Sequence, residues 1–217
     1  VIFSRKHNWI MCILYLGTFG SFIGFAAGFP LLIKSQFTGI DPVKYAFLGP
    51  LVGALARPFG GWISDKIKSG ALITQLVFIG MIVAVCGVIF FLPNNGEGGN
   101  FWGFFTCFLA LFALTGIGNG STFMQVPVIF LNMHQKFAEE GKVSEEQARL
   151  DATKEGAAVI GFTAAFAAYG GFFIPKSYGT SIDLTGGVNA ALIGFIIFYA
   201  ICAVLNWWYY TRKGAEA

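Results

Sequence analysis

Charged residues in this chain are crowded into short clusters, and long apolar stretches free of charge run between them. Only 12% of the residues are charged and 56% are hydrophobic, too little polar surface to coat a folded chain in water. Six stretches, near 9–32, 44–64, 71–92, 101–131, 156–175 and 187–210, reach the roughly 20 residues that a helix needs to cross about 30 Å of hydrocarbon. Backbone that faces lipid must satisfy its own hydrogen bonds, and the alternating polarity of a membrane barrel is absent. The sequence therefore predicts an all-α membrane protein with six spanning helices in one domain, 1–217. The first span is too long for a cleaved signal peptide and lacks a small-residue cleavage site.

Lys and Arg in the loops predict the orientation. Arg5, Lys6, Lys66, Lys68, Lys136, Lys142, Arg149, Lys154, Arg212 and Lys213 fall on one side, ten against Lys34, Lys44 and Lys176 on the other. Both ends are thus expected on the cytoplasmic side. Trp9, Trp62, Trp102, Trp207 and Trp208 sit at predicted span ends, where indole meets headgroups. The net charge of +3 follows from this topology and does not suggest nucleic acid. Cys12, Cys86, Cys107 and Cys202 lie singly in apolar stretches and read as small core residues. The polar segment 132–155 is rich in helix formers and predicts a short helix lying at the surface, while 93–100 and 176–189 read as turns.

Small residues recur every fourth position, at Gly20, Gly24 and Gly28 and again at Gly116 and Gly120, which predicts close helix contacts. One such row contains a charge: Gly49, Gly53, Arg57 and Gly61 fall at i, i+4, i+8 and i+12. Asp65 marks the headgroup level, so at 1.5 Å per residue Arg57 lies about 12 Å deeper, near the midplane. An arginine there costs about 2.5–3.5 kcal/mol on insertion scales. No Asp, Glu or His falls inside another predicted span, so the chain offers no counter-ion and no buried group that titrates near neutral pH. A passing anion is the natural partner, and a planar guanidinium suits a small trigonal oxyanion in a bidentate way. No Ser/His or Cys/His pair, carboxylate pair or metal-ligand cluster lies in the spans, so neither an enzyme nor a cofactor is implied.

The run GGWISDKIKSG, 60–70, resembles the G-x-x-x-D-[RK] loop of the major facilitator superfamily, with Gly61, Asp65 and Lys66 as its key residues. YLGTFGSFIGFAAGF (15–29), AFLGPLVGALARPFGGWISDK (46–66), GIGNGSTFMQVPVIF (116–130) and GFTAAFAAYGGFFIPKSYG (161–179) resemble the NarK-type nitrate/nitrite porters. The resemblance covers essentially the whole chain and corresponds to spans seven to twelve of that family, the carboxy-terminal half. It implies that Arg57 is one of two arginines facing each other across a central cavity, its twin being on an amino-terminal six-helix half, and that Tyr15 and Phe19 line the same site. Asn119 and Gln125, polar amides in an apolar span, either touch substrate or bond between helices. Gly170 and Gly171 match the glycine pair of the family's nitrate signature, while Ala167 stands where a further glycine is expected. Asp65 and Lys66 are implied as a gating element. The implied activity is transport of nitrate and nitrite across a bacterial inner membrane by alternating access, most simply by exchange. Proton-coupled symport, a facilitator for another small anion such as formate, and a membrane sensor are the alternatives.

Overall fold

In the computed structural model, which describes residues 2–93, 98–212 and 214, every regular element is a helix. The first helical unit consists of α1 (Lys6–Tyr15), a π-helical turn (Leu16–Gly20) and α2 (Ser21–Gln36). There follow a short α3 (Pro42–Tyr45), then α4 (Leu48–Ile67), α5 (Gly70–Phe91), α6 (Phe101–Glu139), α7 (Glu145–Ala168), α8 (Gly170–Thr185) and α9 (Asn189–Asn206), which ends in a second π turn (Trp207–Thr211). By length and composition five helical units are apolar enough to cross a membrane. Helix α4 has the length but not the apolarity, because Arg57, two prolines and four glycines dilute it.

Helix α6 is the hub, touching α4, α5 and α7, while α2 packs on α8 and α5 on α9. Glycine sets the closest of these approaches. A Cβ at Gly116 would collide with the carbonyl oxygen of Gly53, and one at Gly120 with that of Arg57, so α4 and α6 meet backbone to backbone. On the other seam, a Cβ at Gly24 would stand 2.5 Å from the carbonyl oxygen of Gly170, and Gly28 lies under the ring of Tyr178. The aromatic interior sits between the seams: Phe25, Phe29, Phe104, Phe108 and Phe112 are fully buried, with Phe29 stacked on Phe108 at 4.5 Å between centroids. Outward, Leu76, Ile79, Val83 and Phe90 on α5 and Ile193, Ile197, Ile201 and Val204 on α9 are exposed in rows, the surface that lipid replaces water against. All five tryptophans are exposed as well.

Three expectations are corrected. The segment 132–155 is no separate surface helix: α6 runs on to Glu139, and α7 begins at Glu145 after a turn with Gly141 at φ 71°. Ser144 caps α7 by accepting from the Gln147 N–H at 3.2 Å, with Glu145 and Glu146 in the first turn to suit the helix dipole. Residues 176–189 are helical as far as Thr185, where Gly186 at φ 75° ends α8; Ser181 and Thr185 donate to the Gly187 carbonyl, so the polar residues serve the helix end rather than a turn. Cys86 is exposed on the outer surface rather than in the core. Of the loop 93–100, positions 94–97 fall outside the described residues, as does Lys213, while Gly98 and Gly99 have the positive φ of a turn.

Candidate functional site

Helix α4 presents Arg57 by a division of labour along its surface. Gly49, Gly53 and Gly60 are its buried glycines, set against Phe112, the Gly116 turn and the carbonyl of Ile117. Gly61 is looser, with only Met124 at 4.0 Å. The main chain of Arg57 belongs to this tight contact, but its side chain leaves it and is exposed, in contrast to the packed orientation that the four-residue spacing suggests. The guanidinium lies over two rings, Phe19 and Phe123, at 5.9 Å from each centroid. Among the described residues no carboxylate comes within ion-pair distance of it.

The first helical unit meets this arginine through its π turn. Widening the helix over Leu16–Gly20 adds a residue to the turn between Tyr15 and Phe19, yet the two rings stay adjacent, 5.2 Å apart and inclined at 31°. Tyr15 is buried and its hydroxyl donates to Oδ1 of the buried Asn119 at 2.8 Å. One turn on, Thr18 and Thr122 join at 3.1 Å, so two polar bonds pin the π turn to α6. Arg57, Phe19, Tyr15 and Asn119 are thus brought together. Phe123 is a member that sequence reasoning missed, although its place four residues after Asn119 on the same helix face was a signal.

Other candidates lie elsewhere. Gln125 donates to Thr74 at 2.5 Å, and Thr74 shares a 2.8 Å bond with Ser121, so this amide joins α6 to α5. A Cβ at Gly170 would collide with the carbonyl of Gly20, and one at Gly171 would stand 2.9 Å from Ile23; the glycine pair seats α8 on the first helical unit. Asp65 and Lys66 are exposed at the end of α4, and Lys66 lies 5.1 Å over the Trp62 ring. The turn after them holds Lys68 in the left-handed region at φ 55°, and Ser69 caps α5 by accepting from Leu72 N–H. Asp65 and Lys68 border a cavity of about 430 Å³ shared with Gln125 and Asn132. No group of three or more potential metal ligands occurs among the described residues.

The expectation that no buried titratable group exists is also corrected. His134 is buried near the end of α6, and its Nε2 lies 3.3 Å from Oε2 of Glu155 on α7; both helices outrun their predicted ends, which is why neither residue was counted.

A helical bundle with an apolar outer surface and five helical units long and apolar enough to span, among the described residues, defines a multi-pass membrane protein. Its relatives narrow this further. The chain is 43% identical over 212 residues to the Escherichia coli nitrate/nitrite transporter NarU and equally so to the Salmonella typhimurium NarU, in each case covering 98% of this chain and 46% of the relative. It is 42% identical over 220 residues to the Thermus thermophilus protein named "Probable nitrate/nitrite antiporter NarK2", covering 99% of this chain and 44% of that one. No family model matches the chain. It belongs to the NarK-type porters of the major facilitator superfamily, and spans about half the length of the curated relatives it matches.

Proposed function

We propose that this chain supplies one wall of an anion site in a nitrate/nitrite transporter, with Arg57 as the ligand for the anion. The observation that carries this reading is the guanidinium of Arg57, which stands over Phe19 and Phe123 with no carboxylate near it, on an exposed face beside the Tyr15–Asn119 bond. A charge within an apolar helix is retained where something answers it, and a small trigonal oxyanion can accept two parallel N–H bonds from a guanidinium. Three relatives are named for nitrate and nitrite. The second wall, with a twin arginine, would come from a further six-helix half facing Arg57. Empty, such a site holds two like charges at low dielectric, which opposes reorientation; a bound anion relieves that repulsion and permits alternating access.

Exchange of nitrate for nitrite fits the name of the Thermus relative. The buried His134–Glu155 pair favours a second reading, coupling to protons, because it provides a titratable group that exchange does not need. Counterflow in proteoliposomes separates them: labelled nitrate uptake that follows internal nitrite and ignores a pH gradient supports exchange, and the converse supports symport. Formate competing as well as nitrite would displace both in favour of a general small-anion facilitator. Arg57→Lys in the full-length protein tests the site itself, since nitrate binding undiminished by that change would refute it. Asp65 and Lys66 would act as a gating element in the same cycle, and Gly170 and Gly171 would let α8 move against the first helical unit. We place the protein in a bacterial inner membrane with both ends of this segment cytoplasmic, which cysteine accessibility at positions 5 and 149 would check.

A further inference from the structure

Arg5, His134 and Glu155 come from three parts of the chain and meet at the start of the first helical unit. Arg5 grips Glu155 with a fork, Nε to Oε2 and Nη2 to Oε1, each at 3.1 Å. His134 Nε2 faces the same Oε2 from α6 at 3.3 Å, within ion-pair distance but without hydrogen-bond alignment. The side chains are 27%, 14% and 5% exposed for Arg5, Glu155 and His134, so water competes weakly for the carboxylate. Phe137 covers the group, its ring edge-on to His134 and 5.6 Å beneath the Arg5 guanidinium. A cavity of about 380 Å³ borders Arg5; its other charged or titratable residues are Lys6, His7 and Lys136, and His7 Nδ1 meets Tyr210 Oη at 3.0 Å. Glu155 is thus the one carboxylate in contact with the imidazole among the described residues.

We propose that His134 is the proton-binding member of a clasp, and that taking up a proton there tightens the hold of Glu155 on the start of α1. Histidine is the side chain that changes charge between about pH 5 and 8 without special perturbation. The neutral ring offers Oε2 at most an ordinary bond, whereas the imidazolium offers a charge-assisted one, roughly twice as strong. The imidazolium thereby holds the Glu155 carboxylate in one orientation from the α6 side, with Oε1 still bonded to Nη2 of Arg5 at the start of α1. Helix α1 then runs from this clasp to Tyr15, itself bonded to Asn119 of α6, so it is tied to the hub at both ends. The proton is read at one end and the π turn beside Arg57 stands at the other.

Hydrogen exchange of the full-length protein in lipid nanodiscs at pH 6 and pH 8, corrected for intrinsic chemical rates, tests this without any transport step. Peptides covering 2–15 and 145–160 should be protected roughly fivefold more at pH 6 than at pH 8. His134→Gln should abolish that difference and His7→Gln should keep it. A His134→Gln protein with the wild-type difference overturns the proposal. If that variant does not fold, Glu155→Gln carries the same expectation, and equal wild-type protection at the two pH values overturns the clasp whatever the variants do. Loss of nitrate binding as the right reading of Arg57 would leave these exchange rates unaffected.

Discussion

Tyr15 and Asn119 are joined by a single hydrogen bond, hydroxyl to Oδ1 at 2.8 Å, across the contact between the first helical unit and α6. The bond uses the hydroxyl proton of Tyr15, so this group orients the Asn119 amide instead of reaching outward itself, and turns its Nδ2 away from Tyr15. Tyr15→Phe leaves the buried Oδ1 without its donor, a loss of about 1–3 kcal/mol of stability. Thermal unfolding of the full-length protein in detergent should show the lower midpoint, and a cycle with Asn119→Ala should return a coupling of about 1 kcal/mol.

Arg57→Lys should weaken nitrate binding by about tenfold or more, because an ammonium cannot match the two parallel bonds of a guanidinium. Isothermal titration reads this directly. Unchanged affinity would remove Arg57 from the site.

The rings beneath the guanidinium should matter less than the charge. Phe19→Ala and Phe123→Ala each remove one face from Arg57, worth about 0.5–2 kcal/mol, and should each raise the nitrate dissociation constant severalfold while leaving expression intact. Equal losses at the two positions are expected, given the equal 5.9 Å separations.

Gly116→Val and Gly161→Ala form a contrasting pair. A Cβ at Gly116 meets the Gly53 backbone, which has no side chain that can give way, so the α4–α6 contact must open at a cost of about 1–3 kcal/mol or more. At Gly161 on α7 nothing lies within 4 Å, and alanine should raise stability slightly through helix propensity, by at most about 1 kcal/mol. Midpoints of thermal unfolding that move in the same direction for both would contradict the packing described.

Lys68 holds the left-handed conformation at the end of α4, φ 55°, where glycine is the usual residue. Lys68→Gly should stabilise the protein by about 1 kcal/mol, since the penalty on Cβ disappears. Thermal unfolding of the variant against the wild type checks it, and a destabilised variant would show that the lysine side chain makes up for its backbone.

How much of this was legible in the sequence depended on the kind of force involved. Arg57 stood out because an unpaired charge in hydrocarbon needs an explanation wherever it occurs. The glycine rows were legible for a related reason, since in lipid close approach is what holds helices together, and Gly24, Gly116 and Gly120 are indeed at the tightest seams. Helix ends were not, because hydropathy reports where lipid stops and not where hydrogen bonding stops; α6 continues eight residues past 131 and carries His134 with it. Phe123 was hidden among 25 phenylalanines, most of them packing residues, and only its place four residues after Asn119 set it apart. The π turn has no composition of its own: Leu16–Gly20 reads as ordinary helix until its tertiary bonds through Thr18 and Tyr15 are seen. Gln125 was ambiguous for the same reason, its partner Thr74 lying on another helix.

Where Gly53 meets Gly116 and Arg57 meets Gly120, main chain touches main chain with no compressible side chain between. Helices α4 and α6 therefore behave as a single plank, and one cannot slip along the other by a fraction of a turn. The main chain that carries the guanidinium is thereby fixed relative to α6, so the base of that side chain moves only when the two helices move together.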